Sequence, residues 1–350
     1  MNNSKNPRVI VITGAAAGVG RATARMFAET EGAHIGLIAR GLEALEGAKR
    51  DVEARGGKAI IIQCDVADAE GIEAAAERVE QELGPIDVWV NDAMTSVFSF
   101  IKDMTAAEFK RVTEVCYLGY VHGTLAALKR MRPRNRGHII QVGSALAYRG
   151  IPLQAAYCAS KHAIQGFMDS LRAELIHDNS DIIATMVQMP ALNTPQFDWC
   201  KSKLPHKAQP VPPIYQPEVA ARAIVFASKN TRREIYVGLP TVIAIIGNKL
   251  FPRMGDLYLG KTGVKGQETK EKADHNAPNN LYEPVGGDPG AHGRFDDRAY
   301  EHSIQLFTDL HRDWIIGGLL ATLVIAAGTV IVNRHGRSPE TNFSKRHARN

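Results

Sequence analysis

A tyrosine and a lysine four residues apart carry the clearest chemistry in this chain. In Tyr157-Cys158-Ala159-Ser160-Lys161 the two side chains are i and i+4, so on a helix they share one face. A free phenol titrates near ~10, too high for good acid–base work at neutral pH. A neighbouring ammonium favours the phenolate and lowers that value. Tyr157 can then give or take the proton of a hydroxyl while the adjacent carbon changes oxidation state. Ser144, upstream of the pair, is placed to hydrogen-bond the reacting oxygen. Ser144, Tyr157 and Lys161 are the candidate catalytic set.

A second motif names the partner in that chemistry. The first apolar run ends in Thr13-Gly14-Ala15-Ala16-Ala17-Gly18-Val19-Gly20, and a helical stretch follows. Glycines permit the tight turn and the close approach of backbone to a pyrophosphate. The helix N-terminus adds free N–H groups and a positive dipole end. Between the first strand and first helix of a repeating unit, this loop reads as a dinucleotide site, with Gly14, Ala16, Gly18, Val19 and Gly20 as its contacts. The second run ends in Ala39-Arg40, the position that faces the adenosine ribose. An acidic residue there would accept from a 2′-hydroxyl; Arg40 would pair with a 2′-phosphate, and Arg21 could assist. The expected cofactor is therefore NADP(H). Asp65-Val66 closes the third run at the height of an adenine amino group, and Asn91-Asp92-Ala93 closes the fourth beside the cofactor trough. Asp65, Val66, Asn91 and Ala93 join the expected contacts, as do Tyr157 and Lys161, whose ammonium can hold the nicotinamide ribose.

The elements that must position these residues are legible from Arg8 to Gly238. Short β-branched runs at Val9–Thr13, His34–Ala39, Ala59–Cys64, Val88–Val90, His138–Val142, Ile182–Val187 and Glu234–Val237 alternate with Ala-rich helical stretches. The helices fall near Arg21–Glu29, Leu42–Arg55, Ala69–Leu83, Ala106–Met131, Gln154–His177 and Pro217–Ser228. Strands this apolar and unalternating are buried on both faces. Strand–helix repetition then predicts a Rossmann-like, doubly wound parallel α/β sheet of about seven strands flanked by helices.

Taken together these residues resemble the classical short-chain dehydrogenase/reductase family over about Arg8 to Gly238. The resemblance implies that Ser144, Tyr157 and Lys161 act as a set and that the cofactor lies over the strand ends. It also implies that Ala39-Arg40 matches the NADP-preferring members. Pro190-Ala191 is similar to the family's Pro-Gly turn near the nicotinamide, and Thr194 to the residue that contacts its carboxamide. Two positions depart. Asn91-Asp92-Ala93-Met94 stands where the family has Asn-Asn-Ala-Gly. Cys116 stands where an Asn helps a water chain reach the lysine. The expected activity is hydride transfer between NADP(H) and a carbonyl or secondary alcohol. A binding or scaffold protein that kept the fold and lost turnover is the alternative. Cys116 favours it, and the intact Ser144, Tyr157 and Lys161 oppose it. A sugar-nucleotide epimerase or dehydratase would need a larger substrate domain than the sequence after the sixth run provides. The loop from Leu192 to Tyr215, with Phe197, Trp199 and several prolines, is expected to cover an apolar substrate.

The rest of the chain bounds these readings. It has 350 residues, 45% of them hydrophobic, and a net charge of +5 with no basic stripe before the C-terminal tail, which argues against a nucleic-acid binder. Cys64, Cys116, Cys158 and Cys200 form no CxxC pair or zinc pattern, so no metal is expected and a reduced compartment is. Val242–Phe251 is too short to span a bilayer and reads as a core helix, an interfacial helix or a dimer contact, with the first and last favoured. Residues from Lys261 to about Arg298 are rich in Gly, Pro, Asn and charge and read as a tether with no core of their own. Trp314–Val332 holds no charge, and as a helix would span ~28 Å. The reading divides the chain into a catalytic domain over 1–255, a flexible tether over 256–313, a transmembrane helix over 314–332 and a basic tail over 333–350. Met1–Pro7 carries no apolar signal region, so the catalytic domain is expected in the cytoplasm, anchored to the membrane by the C-terminal helix. The basic tail opposes that orientation unless the helix dips into one leaflet. A homodimer or tetramer is the expected assembly.

Overall fold

Val9–Thr13 forms strand β1, and all five residues are buried. A run with no polar face must be covered on both sides, and the remaining strands repeat the pattern. They are β2 (His34–Ala39), β3 (Lys58–Gln63), β4 (Ile86–Asn91), β5 (Gly137–Val142), β6 (Ile182–Gln188) and β7 (Glu234–Tyr236). In this computed structural model, which describes residues 7–315 and 317, they make one seven-stranded sheet in the order β7-β6-β5-β4-β1-β2-β3. Every neighbouring pair runs parallel. The chain winds outward from β1 to β3, then returns to the other side of β1 at β4. The strand ends part between β1 and β4, and a crevice opens beyond their carboxyl ends.

Helices clothe both faces. α1 (Gly18–Glu31) packs against α2 (Leu42–Glu53) and α7 (Pro217–Ala227), and α3 (Ala69–Leu83) against α5 (Gly119–Met131). α4 (Ala106–Thr113) packs against α6 (Ala155–His177). Local chemistry starts two of them: the Asp68 carboxylate accepts from the Gly71 N–H, and Thr105 with Glu108 closes a capping box. The single helix expected over Ala106–Met131 is interrupted by a π-helical turn at Glu114–Leu118. The cause is tertiary. The buried Cys116 thiol donates to the Thr95 carbonyl at 3.1 Å and accepts from the Thr95 N–H at 3.3 Å, which pins the turn to the chain after β4.

The C-terminal expectations need two corrections. Val242–Leu250 lies within α8 (Leu239–Leu250), with Phe251 just past its end; the helix buries only Thr241 and Ile245 and leaves Ile243, Ile246 and Leu250 exposed, so it is not a core helix. α9 (Pro252–Thr262) follows with no buried residue. The segment read as a tether is laid onto the catalytic domain. Glu268–Lys272 pairs antiparallel with His206–Ala208. Leu281 is 0% exposed within the cluster that holds Ile72, Val66 and Val115, and Ala291 packs on Ala22 and Ala221. A segment this poor in apolar residues builds no core of its own, but single side chains find room in one already made. The compact unit therefore runs to Leu306, well past the expected boundary at 255.

A second unit begins at Phe307. Among the described residues no helix is long and apolar enough to cross a membrane. Apart from residues 314, 315 and 317, the expected span over 314–332 and the tail over 333–350 lie outside the described residues.

Candidate active site

The crevice at the β1/β4 parting is a cavity of about 450 Å³. Its floor is the β1–α1 loop. Gly14 has φ +74° and Gly18 φ +55°, where only glycine is unstrained, and a Cβ on Gly14 would stand 2.8 Å from the Ala93 Cα. The loop is bound to the end of β4 through Thr13, whose hydroxyl accepts from the Asp92 and Ala93 N–H groups at 3.1 and 3.3 Å. Helix α1 begins without a side-chain cap at Ala17; its Gly18 N–H donates to the Gly290 carbonyl at 3.2 Å, and the positive end of its dipole lies at the cavity, which Gly18 and Val19 line. Gly14, Ala16, Gly18 and Val19 line the cavity; Gly20 lies beneath it, where the Asp92 carboxylate accepts its N–H.

Arg40, Asp65, Val66, Ala93, Pro190 and Thr194 also line the cavity, as the sequence predicts. Besides Gly20, two expected contacts are elsewhere. Asn91 is fully buried in the sheet, where its Oδ1 accepts from the Trp89 indole at 2.9 Å and its Nδ2 donates to the Tyr120 carbonyl at 3.3 Å. Its amide is spent on the core, and Asp92 lines the trough in its place. Arg21 is also buried, tied to Asp51 at 2.7 Å and to Asp288, so it is not free to assist at a 2′-phosphate.

Ser144, Tyr157 and Lys161 converge on the cavity. Ser144 follows β5, its N–H fixed by the Gln188 side chain at 2.8 Å, and its hydroxyl accepts from the Leu146 N–H at 3.1 Å beside the Tyr157 phenol, whose ionisation it favours. Lys161, one turn along α6 from Tyr157, is 1% exposed. Its ammonium donates to the Val142 carbonyl at 2.6 Å and to the Tyr120 hydroxyl at 2.9 Å, and stands 5.4 Å from the Tyr157 ring centre. Tyr120, which the sequence reading missed, lies one turn after Cys116 on α5 and donates its own hydroxyl to Val142 at 3.1 Å. The i,i+4 spacing of Cys116 and Tyr120 was its only signal in the sequence.

Electrostatics reverse one expectation. Burial pushes the Tyr157 phenol well above its ordinary value, the Cys116 and Cys158 thiols push the same way, and the hydrogen bond with Ser144 opposes them. Proximity to Lys161 does not overcome desolvation, so the phenol is neutral. Burial also pulls Lys161 down and pushes Asp92 up, and the attraction between these two opposes both shifts.

The residues fit a nicotinamide dinucleotide: glycines that let backbone approach, the positive end of a helix dipole, a cation at the far rim and a hydroxyl pair at the other end. Among the described residues no group of three or more His, Cys, Asp or Glu could hold a metal. A profile of the short chain dehydrogenase family matches residues 8–203. An uncharacterised oxidoreductase of Bacillus subtilis, YxnA, is 32% identical over 322 residues, which cover 91% of this chain and 89% of that protein. An uncharacterised oxidoreductase of Mycobacterium tuberculosis is 30% identical over 77% of this chain and 82% of its own length. A protein of Acinetobacter baylyi named fatty acyl-CoA reductase is 30% identical over 75% of this chain and 89% of its own length. The chain is thus a member of the short-chain dehydrogenase/reductase family, oxidoreductases that work with a nicotinamide cofactor.

Proposed function

We propose that the chain is an NADP(H)-dependent oxidoreductase that interconverts a carbonyl and a secondary alcohol on a hydrophobic substrate. The observation that carries this reading is the convergence of the Ser144–Tyr157 pair and the buried Lys161 at one end of a cavity whose other end holds Arg40. The cofactor, when bound, supplies or accepts the hydride at the substrate carbon. Ser144 positions the substrate oxygen by hydrogen bond. In reduction the neutral Tyr157 phenol donates its proton to that oxygen. The Lys161 ammonium, held in place by Val142 and Tyr120, stabilises the phenolate left behind.

The substrate class follows from the walls. Phe98, Leu146, Ile151, Phe197, Trp199 and Val211 line the cavity beyond the Ser–Tyr pair, and Pro195, Pro210 and Pro212 of the expected covering loop are among the same walls. The relative named for acyl-CoA reduction supports a lipid-derived carbonyl. A membrane location for the catalytic domain, on the cytoplasmic side, is part of the proposal. It is supported by the uncharged stretch over 314–332 and by the exposed apolar side chains of α8 and α9 interspersed with Lys249, Arg253 and Lys261.

The test is a panel of steroids, retinoids, long-chain aldehydes and small polar carbonyls, with their alcohols, read by the absorbance of reduced nicotinamide with NADPH and with NADH. Turnover of apolar carbonyls with NADPH is expected. Turnover confined to small polar compounds, or faster with NADH, contradicts the reading.

A further inference from the structure

Residues 280–290 lie outside the part of the chain that the family profile matches, yet Asn280, Pro284, Val285 and Pro289 line the same cavity as Gly14 and Arg40. We propose that this segment is a built part of the cofactor site: a wall over its adenosine end that orients Arg40 and encloses a bound adenosine 2′-phosphate dinucleotide. The proposal rests on the dinucleotide reading of the trough.

The segment is fastened at both ends to the elements that make the trough. At its start the Asn280 side chain bonds Thr95 and Gln196, at 3.3 and 3.2 Å, and its N–H donates to the Trp199 carbonyl at 2.9 Å. The next residue, Leu281, is sunk in the core, and its carbonyl accepts from Arg111 at 2.9 Å. At its other end Asp288 pairs with Arg21, the Gly287 N–H donates to Glu43 at 2.9 Å, and the Gly290 carbonyl accepts the Gly18 N–H at 3.2 Å. The five residues between such anchors cannot swing freely, because both flanks are set by α1, α2 and the turn after β4.

The charge pattern points to the ligand. Arg21 and Arg111 are matched by carboxylates, Asp51 with Asp288 and Asp65 respectively. Arg40, at the rim between them, is hydrogen-bonded instead by neutral groups: its two terminal nitrogens donate to the carbonyls of Tyr282 and Asn280, while the Asp65 and Glu283 carboxylates attract it without a direct bond. A carbonyl fixes the guanidinium plane without cancelling its charge. A guanidinium has five N–H donors, so an oriented cation with donors to spare remains for a phosphate. Fixing it beforehand removes an ordering cost from binding.

The experiment uses the full chain, with NADPH and NADH as probes. Hydrogen exchange over 280–290 is measured with and without NADPH, and NADPH dissociation is followed by its fluorescence in the wild type and in the Asn280→Ala/Asp288→Ala variant, whose thermal unfolding checks that it is folded. NADPH is expected to slow exchange across the segment. The variant is expected to release NADPH about ten-fold faster, and to lose more affinity for NADPH than for NADH, because ordering of Arg40 is lost. Exchange that is unchanged or faster with NADPH bound overturns the proposal even if the variant cannot be studied. So does a variant that is folded and releases NADPH at the wild-type rate. Failure to bind either dinucleotide brings down the underlying reading instead.

Discussion

Tyr157 sits where ionisation is opposed from every side but one. Its raised phenol does not set the pH dependence of reduction. The donor is the protonated form, and a pKa held above the ordinary phenol value keeps that form populated through neutral and mildly alkaline pH. The Lys161 ammonium that stabilises the phenolate is instead pulled down to about 8 by burial, so the rate of carbonyl reduction at saturating substrate and NADPH should stay level up to about pH 7 and fall with loss of that one proton as pH rises to about 9. A rate that stays level through that interval would remove the role given to the Lys161 charge. At the opposite end of the cavity, Arg40→Asp should remove a charge-assisted pair with the 2′-phosphate. Such a pair contributes roughly 1.5–3 kcal/mol, about ten- to a hundred-fold in affinity. Titration of both cofactors checks this. NADPH should bind more tightly than NADH to the wild type, and the gap should narrow or reverse in the variant. Equal dissociation constants in the wild type would remove the role given to Arg40.

At the scale of elements, legibility followed the source of each element's stability. The seven strands could be read because β-branched runs buried on both faces leave a continuous apolar signature, and their observed limits differ from the expected ones by only a residue or two. The β1–α1 loop was legible for a different reason: glycines at fixed offsets answer a steric demand visible at Gly14 itself. Asn91 was misread because its motif says which residue is present and not which way its amide turns. The π-helical turn at Glu114–Leu118 and the Tyr120 contact to Lys161 depend on Thr95 and Val142, which only the fold brings near. The segment at 280–290 has no periodicity to betray it, since single buried side chains hold it. Leu281 therefore makes a sharp test. Leu281→Ala should destabilise the compact unit by about 2–4 kcal/mol through lost burial and a residual cavity. Urea unfolding of the full chain measures it. A change within about 0.5 kcal/mol, the range of an ordinary surface substitution, would mean that this segment is not packed.

For the whole molecule, catalysis and location separate along the chain. The unit ending at Leu306 contains the sheet, the cavity and the segment that roofs it. The uncharged stretch that would hold the protein to a bilayer comes afterwards in the sequence. Full-length protein in fractionated cells should accompany the membranes. A chain ending after Asp313 should be released while still binding NADPH, and one ending after Gly255 should bind it poorly, because it lacks the residues around Arg40. Full-length protein found wholly in the soluble fraction would discard the anchor, and unimpaired NADPH binding by the shorter chain would discard the roof. The central claim, that Tyr157 delivers the proton that accompanies hydride transfer, is tested most directly by Tyr157→Phe. With the best carbonyl substrate from the panel, NADPH oxidation should fall by about a hundred-fold or more while the NADPH dissociation constant stays within about two-fold of wild type. Retention of most of the activity by the folded variant would contradict the assignment of Tyr157 and the mechanism built on it.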